Sequence, residues 1–201
     1  MSWIETVNQE RAVGRLRELY DRVAAPSGKV DNVLQIHSLR PHTLEGHMAL
    51  YKSVLHHREN KIPRWLLETI GVYVSLLNGC NYCVDHHFAG LGRLLKDENR
   101  LQVIRQALET GLLERVFAPR ERAILDYVRE LTQSPSEVEE RSIQEMRAAG
   151  LDDGEILEVN QVASYFAYVN RTVLGLGVTT EGDTLGLSPS DSADLENWRH
   201  H

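Results

Sequence analysis

At 201 residues, with 42% hydrophobic and 25% charged residues, the chain has the size and composition of one globular domain with a substantial core. Its 22 Lys and Arg against 29 Asp and Glu give a formal charge of -7 with no basic block, which argues against nucleic acid or an anionic membrane as a partner. The first five residues already carry charge and no stretch approaches the roughly 20 apolar residues that span a bilayer, so neither a signal peptide nor an anchor is read and a reducing cytoplasm is the expected setting.

Apolar spacing near 3.6 predicts helices almost throughout, and no alternating strand pattern competes, so the expected fold class is all-α. Segment 5–24 carries Val7, Ala12, Val13, Leu16, Leu19, Tyr20 and Val23 before Pro26-Ser27-Gly28 stops it. Asp31 is placed to cap a short helix over 32–39, and Pro41 opens the next, to about His57, with Leu44, Met48, Tyr51 and Leu55 on one face. Pro63 opens a helix over 64–77 that is apolar around nearly its whole surface and therefore central. Asn78-Gly79 stops it, and the segment after it leads into a helix over 84–95. Asp97 caps 98–110, which Gly111 ends; Pro119 starts 120–131, Pro135 precedes 136–149, and Asp152 or Asp153 caps a long last helix to about Leu174. The organisation expected is one helical domain over 1–178 and a polar tail over 179–201, the tail either disordered or packed across a neighbouring subunit. Leu67-Glu68 and Leu157-Glu158, each followed by an apolar helix, give a weak echo of a duplicated helical hairpin.

Chemistry concentrates in Asn78-Gly79-Cys80-Asn81-Tyr82-Cys83-Val84-Asp85-His86-His87, which holds both cysteines of the chain. A reducing compartment rarely keeps so close a pair for static cross-linking, so redox chemistry and metal binding are the readings open. If a helix begins near Cys80, Cys83 lies in its first turn, where free amides and the helix dipole favour a thiolate, and His87 follows one turn later on the same face. That neighbourhood makes Cys83 the attacking thiol and Cys80 the resolving one. Glu68 lies in the apolar run Trp65-Leu66-Leu67-Glu68-Thr69-Ile70-Gly71-Val72, and a buried carboxylate needs a partner. In an antiparallel hairpin turning at Asn78-Gly79, Glu68 comes near His87 and the two form a proton relay to the thiol. A structural ion pair of Glu68 with Arg64 or Arg171 is the plainer alternative. A zinc site from Cys80, Cys83, His87 and His86 has suitable ligand types, but one helix turn does not surround a tetrahedral ion. His56 and His57 read as solvated, His37, His42 and His47 as lying on helix surfaces or ends, and His200-His201 as an appended or native terminus. His47 is the histidine placed to approach the thiols. Tyr165, Phe166 and Tyr168 read as core or subunit contacts.

Glu68, residues 69–79, Cys80-Asn81-Tyr82-Cys83 and His87 together resemble the signature of the alkyl hydroperoxidase D and carboxymuconolactone decarboxylase superfamily. Pro63-Arg64, Asn78-Gly79-Cys80-Asn81-Tyr82-Cys83 and Tyr165-Phe166-Ala167-Tyr168-Val169-Asn170-Arg171 resemble its peroxidase-related branch, and the likeness runs over residues 5–178. The resemblance implies an all-helical fold, homo-oligomers and a thiol peroxidase acting on hydrogen peroxide or organic hydroperoxides. It further implies that Cys83 is oxidised, Cys80 resolves, Glu68 and His87 relay protons, and a dithiol or lipoyl-bearing protein returns the electrons, without cofactor or metal. Hydroperoxidase members carry a histidine between the cysteines where this chain has Tyr82; a phenol titrates too high to replace it as base, which leaves that role to His86 or His87. Lactone decarboxylation, the superfamily's other activity, does not need two cysteines. Another thiol-disulfide exchange, or a non-catalytic helical oligomer with a structural thiol pair, is the remaining alternative.

Overall fold

A computed structural model describes residues 2–201, in which nine α-helices follow one another: α1 (Gly14–Val23), α2 (Asn32–Gln35), α3 (Pro41–Leu55), α4 (Arg64–Leu77), α5 (Asn81–Leu95), α6 (Glu98–Thr110), α7 (Pro119–Gln133), α8 (Glu140–Ala148) and α9 (Asp153–Gly175). The described residues contain no sheet, only two isolated bridges, both made by the tail. Among the described residues no helix is long and apolar enough to cross a membrane.

Most boundaries follow the signals in the sequence. Pro41 and Pro119 occupy the first turns of α3 and α7, where a missing amide proton costs nothing. Asp97 accepts from the Arg100 amide at 2.9 Å, and Asp152 and Glu155 close a reciprocal capping box at the start of α9. Three predicted helices are shorter than expected, the one over 32–39 ending at Gln35. Over 5–24, Asn8 caps a three-residue 3-10 turn and the Tyr20 hydroxyl donates to the Val7 carbonyl at 2.7 Å, folding the amino-terminal segment back over α1. Over 136–149, a 3-10 turn at Pro135–Glu137 precedes α8, and Val138 between them is extended.

The all-round apolar helix α4 is central, with Leu66 to Ser75 buried without interruption among α5, α7 and α9. Its apolar surface is thus consumed within the chain, and the large exposed apolar side chains lie elsewhere, the most exposed at Trp3, Val13 and Leu157. Gly71 permits the closest approach: a Cβ there would stand 2.2 Å from the ring of Phe166 on α9. α5 returns antiparallel to α4 after Gly79, whose φ of 69° makes the turn. The echo at Leu157-Glu158 does not form a second hairpin, because α9 runs unbroken for 23 residues. Glu158 instead accepts the amides of Lys61 and Ile62 ahead of α4.

The tail over 179–201 crosses the helices of its own chain. Polar contacts hold it, which is why apolar periodicity did not reveal it. The buried Lys52 ammonium donates to Ser190 O and, at 3.0 Å, to Ser192 Oγ. Ser192 N donates to His56 O at 3.1 Å. Trp198 is buried beneath the Arg22 guanidinium, 3.8 Å from its ring centre. At Gly186, with φ 77°, the tail passes so close to Ala89 and Gly90 of α5 that a Cβ would stand 2.8 Å from backbone.

Candidate active site

The hairpin of α4 and α5 brings all four sequence-predicted site residues together. Cys80 is the N-cap of α5, its amide donating to Ser75 O at 2.8 Å, and Cys83 lies in the first turn. The two Sγ atoms are free thiols 2.9 Å apart, both buried. Glu68, 2% exposed, reaches across from α4 and its Oε2 meets His87 Nδ1 at 2.7 Å. Gly90, one turn on from His87, leaves room for that carboxylate, at 3.7 Å from the position its Cβ would take.

Glu68 serves both readings given to it. Its Oε1 accepts from Arg64 Nη2 at 2.7 Å and from Nε at 3.2 Å, so the structural ion pair and the histidine contact coexist on one carboxylate. Arg171 is elsewhere, donating to Ala167 O. Burial pushes the Glu68 carboxyl up, but His87, Arg64 and His56 outweigh it and hold it well below the usual carboxylate range. The hydrogen bond uses Nδ1 of His87 and leaves Nε2 without a protein partner. No hydrogen bond joins His87 to Cys83 among the described residues.

Within the thiol pair, charge and access point in opposite directions. The hydrogen bond shared with Cys83 lowers the Cys80 thiol, while the same bond and then burial raise Cys83. The cavity, however, is bordered by Cys83 and not by Cys80. Asn170 of α9, held by Asn78 and Ser75 at 3.0 and 3.1 Å, favours the Cys83 thiolate. With the proton free to lie on either sulfur, access decides which of them a bound molecule meets.

The cavity wall is largely ring-lined: Tyr51, Tyr165, His47 and His200 face it, and Gly186, Leu187 and Ser188 of the tail close one side. Tyr51 and Tyr165 stack at 5.4 Å, and Phe166 stands edge-on to His87 at 4.6 Å. Burial keeps His47, His56 and His200 neutral, pushing His47 down to about 3 and the other two down to about 4.

Several histidines were misplaced by sequence reasoning. His56 is wholly buried, because the tail covers it and Arg64 Nη2 lies 3.2 Å from its Nε2. His37 and His47 are buried as well, with ring centres 5.2 Å apart, and His47 does reach the cavity as its position suggested. Tyr82 is not a base: its hydroxyl donates to Asp183 Oδ2 at 2.6 Å and accepts from Val33 N, and burial first, with Asp183, raises it well above the ordinary phenol value. Asp183, a tail residue without any sequence signal, also lies 3.3 Å from His86 Nε2 and accepts the Asn32 amide. Asp31, expected to cap α2 with its side chain, makes no such bond. For the zinc alternative, the described residues contain no group of three or more His, Cys, Asp or Glu side chains arranged to hold a metal ion.

Residues 41–130, from α3 into α7 and containing all four candidate residues, match the carboxymuconolactone decarboxylase family. That segment carries the likeness to the family. Solved structures extend a likeness of fold to nearly the whole chain. The AhpD-core peroxidase-related protein of Ralstonia eutropha JMP134 superposes with a TM-score of 0.78 at 22% identity, over 90% of this chain and 93% of that one. The peroxidase-related protein of Silicibacter sp. TM1040 gives the same four values. The debrominase Bmp8 superposes at 0.70 with 18% identity, over 88% of this chain and 91% of its own. At these identities the likeness is one of fold, and it is all-helical as expected. No curated protein matches the chain in sequence.

Proposed function

We propose that the chain is a thiol-dependent peroxidase for hydrogen peroxide or small organic hydroperoxides. The observation that carries this reading is one cavity bordered by Cys83 and by a carboxylate–imidazole pair at 2.7 Å, with a second free thiol, Cys80, 2.9 Å from Cys83. Cys83 is the thiol that borders the cavity, so it attacks. Its thiolate displaces the distal peroxide oxygen; the S–O bond forms as the O–O bond breaks, giving a sulfenic acid and an alcohol or water once the departing oxygen takes a proton. Cys80 then attacks the Cys83 sulfur, forming the disulfide and expelling the sulfenic oxygen as water. Glu68 holds His87 by Nδ1, and the ring's other nitrogen moves the proton released by the thiol. A dithiol or lipoyl-bearing protein returns two electrons to the disulfide. The exposed apolar residues Leu157, Tyr168 and Leu174 on α9 support a homo-oligomer, which light scattering checks directly.

Stopped-flow oxidation of the reduced, metal-free protein by cumene hydroperoxide tests the proposal, with mass spectrometry of the product and zinc assayed on the protein as purified. The expected result is rapid formation of a Cys80 to Cys83 disulfide; oxidation at the rate of free cysteine contradicts it. A second reading is favoured by the ring-lined cavity: the fold is shared with the debrominase Bmp8, solved in complex with 2,3,4-tribromopyrrole, and the same thiol pair would suit reductive removal of halogen from a flat aromatic ring. Release of bromide from that compound by the reduced protein, with slow peroxide oxidation, would select it.

A further inference from the structure

We propose that Asp31 is the acid that protonates the departing oxygen when Cys83 opens a peroxide bond. The inference rests on the peroxidase reading and adds to it the proton donor that the thiols, Glu68 and His87 do not supply.

Asp31 stands at the N-cap of α2, yet its carboxylate caps nothing: the amides of Leu34 and Gln35 bond to its backbone carbonyl instead. The side chain makes no hydrogen bond to any described residue. It is only 8% exposed and borders the same cavity as Cys83. The residue is thus nearly buried while its carboxylate, without a hydrogen-bond partner, faces the place where chemistry is proposed. The groups around it are His86 and Tyr82 of α5, Tyr51 of α3 and Asp183 of the tail.

The other carboxyls near the cavity are already committed, and burial raises the Tyr51 and Tyr165 phenols far above the working range of an acid. Glu68 accepts from Arg64 and His87 and is held ionised. Asp183 accepts from the Tyr82 hydroxyl and the Asn32 amide, with His86 beside it. The Tyr82 proton is directed at Asp183. Asp31 alone among these carboxyls has both oxygens free, and burial, with Asp183 adding and His86 opposing, brings it up to about 6, close to the pH at which a general acid works best. In the balanced step the Cys83 thiolate takes the distal oxygen, the O–O bond breaks, and the proximal oxygen leaves with the Asp31 proton as the alcohol. The proton that His87 removed from the thiol, returned through solvent, restores Asp31.

The demand for an acid depends on the leaving group, and that separates a proton donor from a structural residue. An alkyl hydroperoxide expels an alkoxide, which needs a proton; a peracid expels a carboxylate, which does not. Reduced wild-type, Asp31→Asn and Asp31→Glu proteins are mixed with tert-butyl hydroperoxide and with peracetic acid, and the ratio of the two Cys83 oxidation rates is taken for each. The ratio is internal to each protein, so a smaller folded fraction does not move it. Asp31→Asn is expected to slow the hydroperoxide by ~10²-fold while leaving the peracid rate unchanged, and Asp31→Glu to recover much of the wild-type ratio. Equal slowing with both oxidants, or no slowing with either, overturns the acid role. If the wild-type protein itself reacts with both at the rate of free cysteine, the peroxidase reading falls and this inference falls with it.

Discussion

Two neighbouring histidines on α5 each face a carboxylate, but the carboxylates come from different parts of the molecule. His87 meets Glu68 of α4 at 2.7 Å, inside a hairpin whose facing side chains are buried and where Arg64 holds the second oxygen. His86 meets Asp183 at 3.3 Å, from a segment without helical order held by side chain to backbone contacts. The first pair is part of the core and opens only when the bundle opens. The second comes from a tail held largely by polar contacts, which is expected to open before the hairpin does. A site assembled from both kinds of support therefore has one rigid wall and one removable wall.

Acidification should separate the two walls most strongly. His47, His56 and His200 are buried neutral with lowered affinities for protons, so the unfolded chain binds up to about three more protons between about pH 6.5 and pH 4. Unfolding free energy should therefore fall as pH drops through that window, with a urea midpoint that declines steeply. Glu68 behaves otherwise: its depressed carboxyl contributes stability fully above the unfolded value of about 4.3, and this is lost only on further acidification. A midpoint unchanged from pH 7 to pH 4.5 would contradict the burial of these rings.

Glu68→Gln comes next in size. It leaves Arg64 short of one anion in a buried setting and should cost ~3 kcal/mol in urea unfolding, along with slower thiolate formation; retained stability and activity would remove Glu68 from both its roles. Gly71→Ala drives a methyl into the Phe166 ring behind His87 and should cost ~1–3 kcal/mol, read as a shift in thermal midpoint. Asp183→Asn should have the smallest effect, ~1–2 kcal/mol, and its signature is local: faster amide exchange over residues 179–201 with α4 and α5 still protected. Equal loosening of the tail and the hairpin would show that the two walls are one unit.

What the sequence disclosed follows the same division. Glu68, Cys80, Cys83 and His87 lie on two helices of regular period joined by Asn78-Gly79, so counting residues from the turn brought them together. The caps at Asp97 and Asp152 and the prolines at 41 and 119 were legible because each acts within one helical turn. Asp183, His200 and the burial of His56 were not, because the tail is placed by contacts such as Lys52 to Ser190, 138 residues apart, that leave no periodic trace. Asp31 was legible as a capping residue type in a capping position, and only the absence of the expected side-chain bond distinguishes it. The break at residues 12–13 was likewise hidden, since Val13 fits the apolar spacing but is 80% exposed.

The central claim is that Cys83 attacks and Cys80 resolves, although the hydrogen bond within the pair favours charge on Cys80. Its most direct test is peroxide treatment of reduced Cys80→Ser and Cys83→Ser in the presence of a sulfenic-acid trap, with the adduct located by mass spectrometry. The account predicts rapid, trappable oxidation at Cys83 in Cys80→Ser and oxidation no faster than free cysteine in Cys83→Ser. Fast oxidation of Cys80 in Cys83→Ser, with Cys83 inert in the reciprocal variant, would contradict it and reverse the roles.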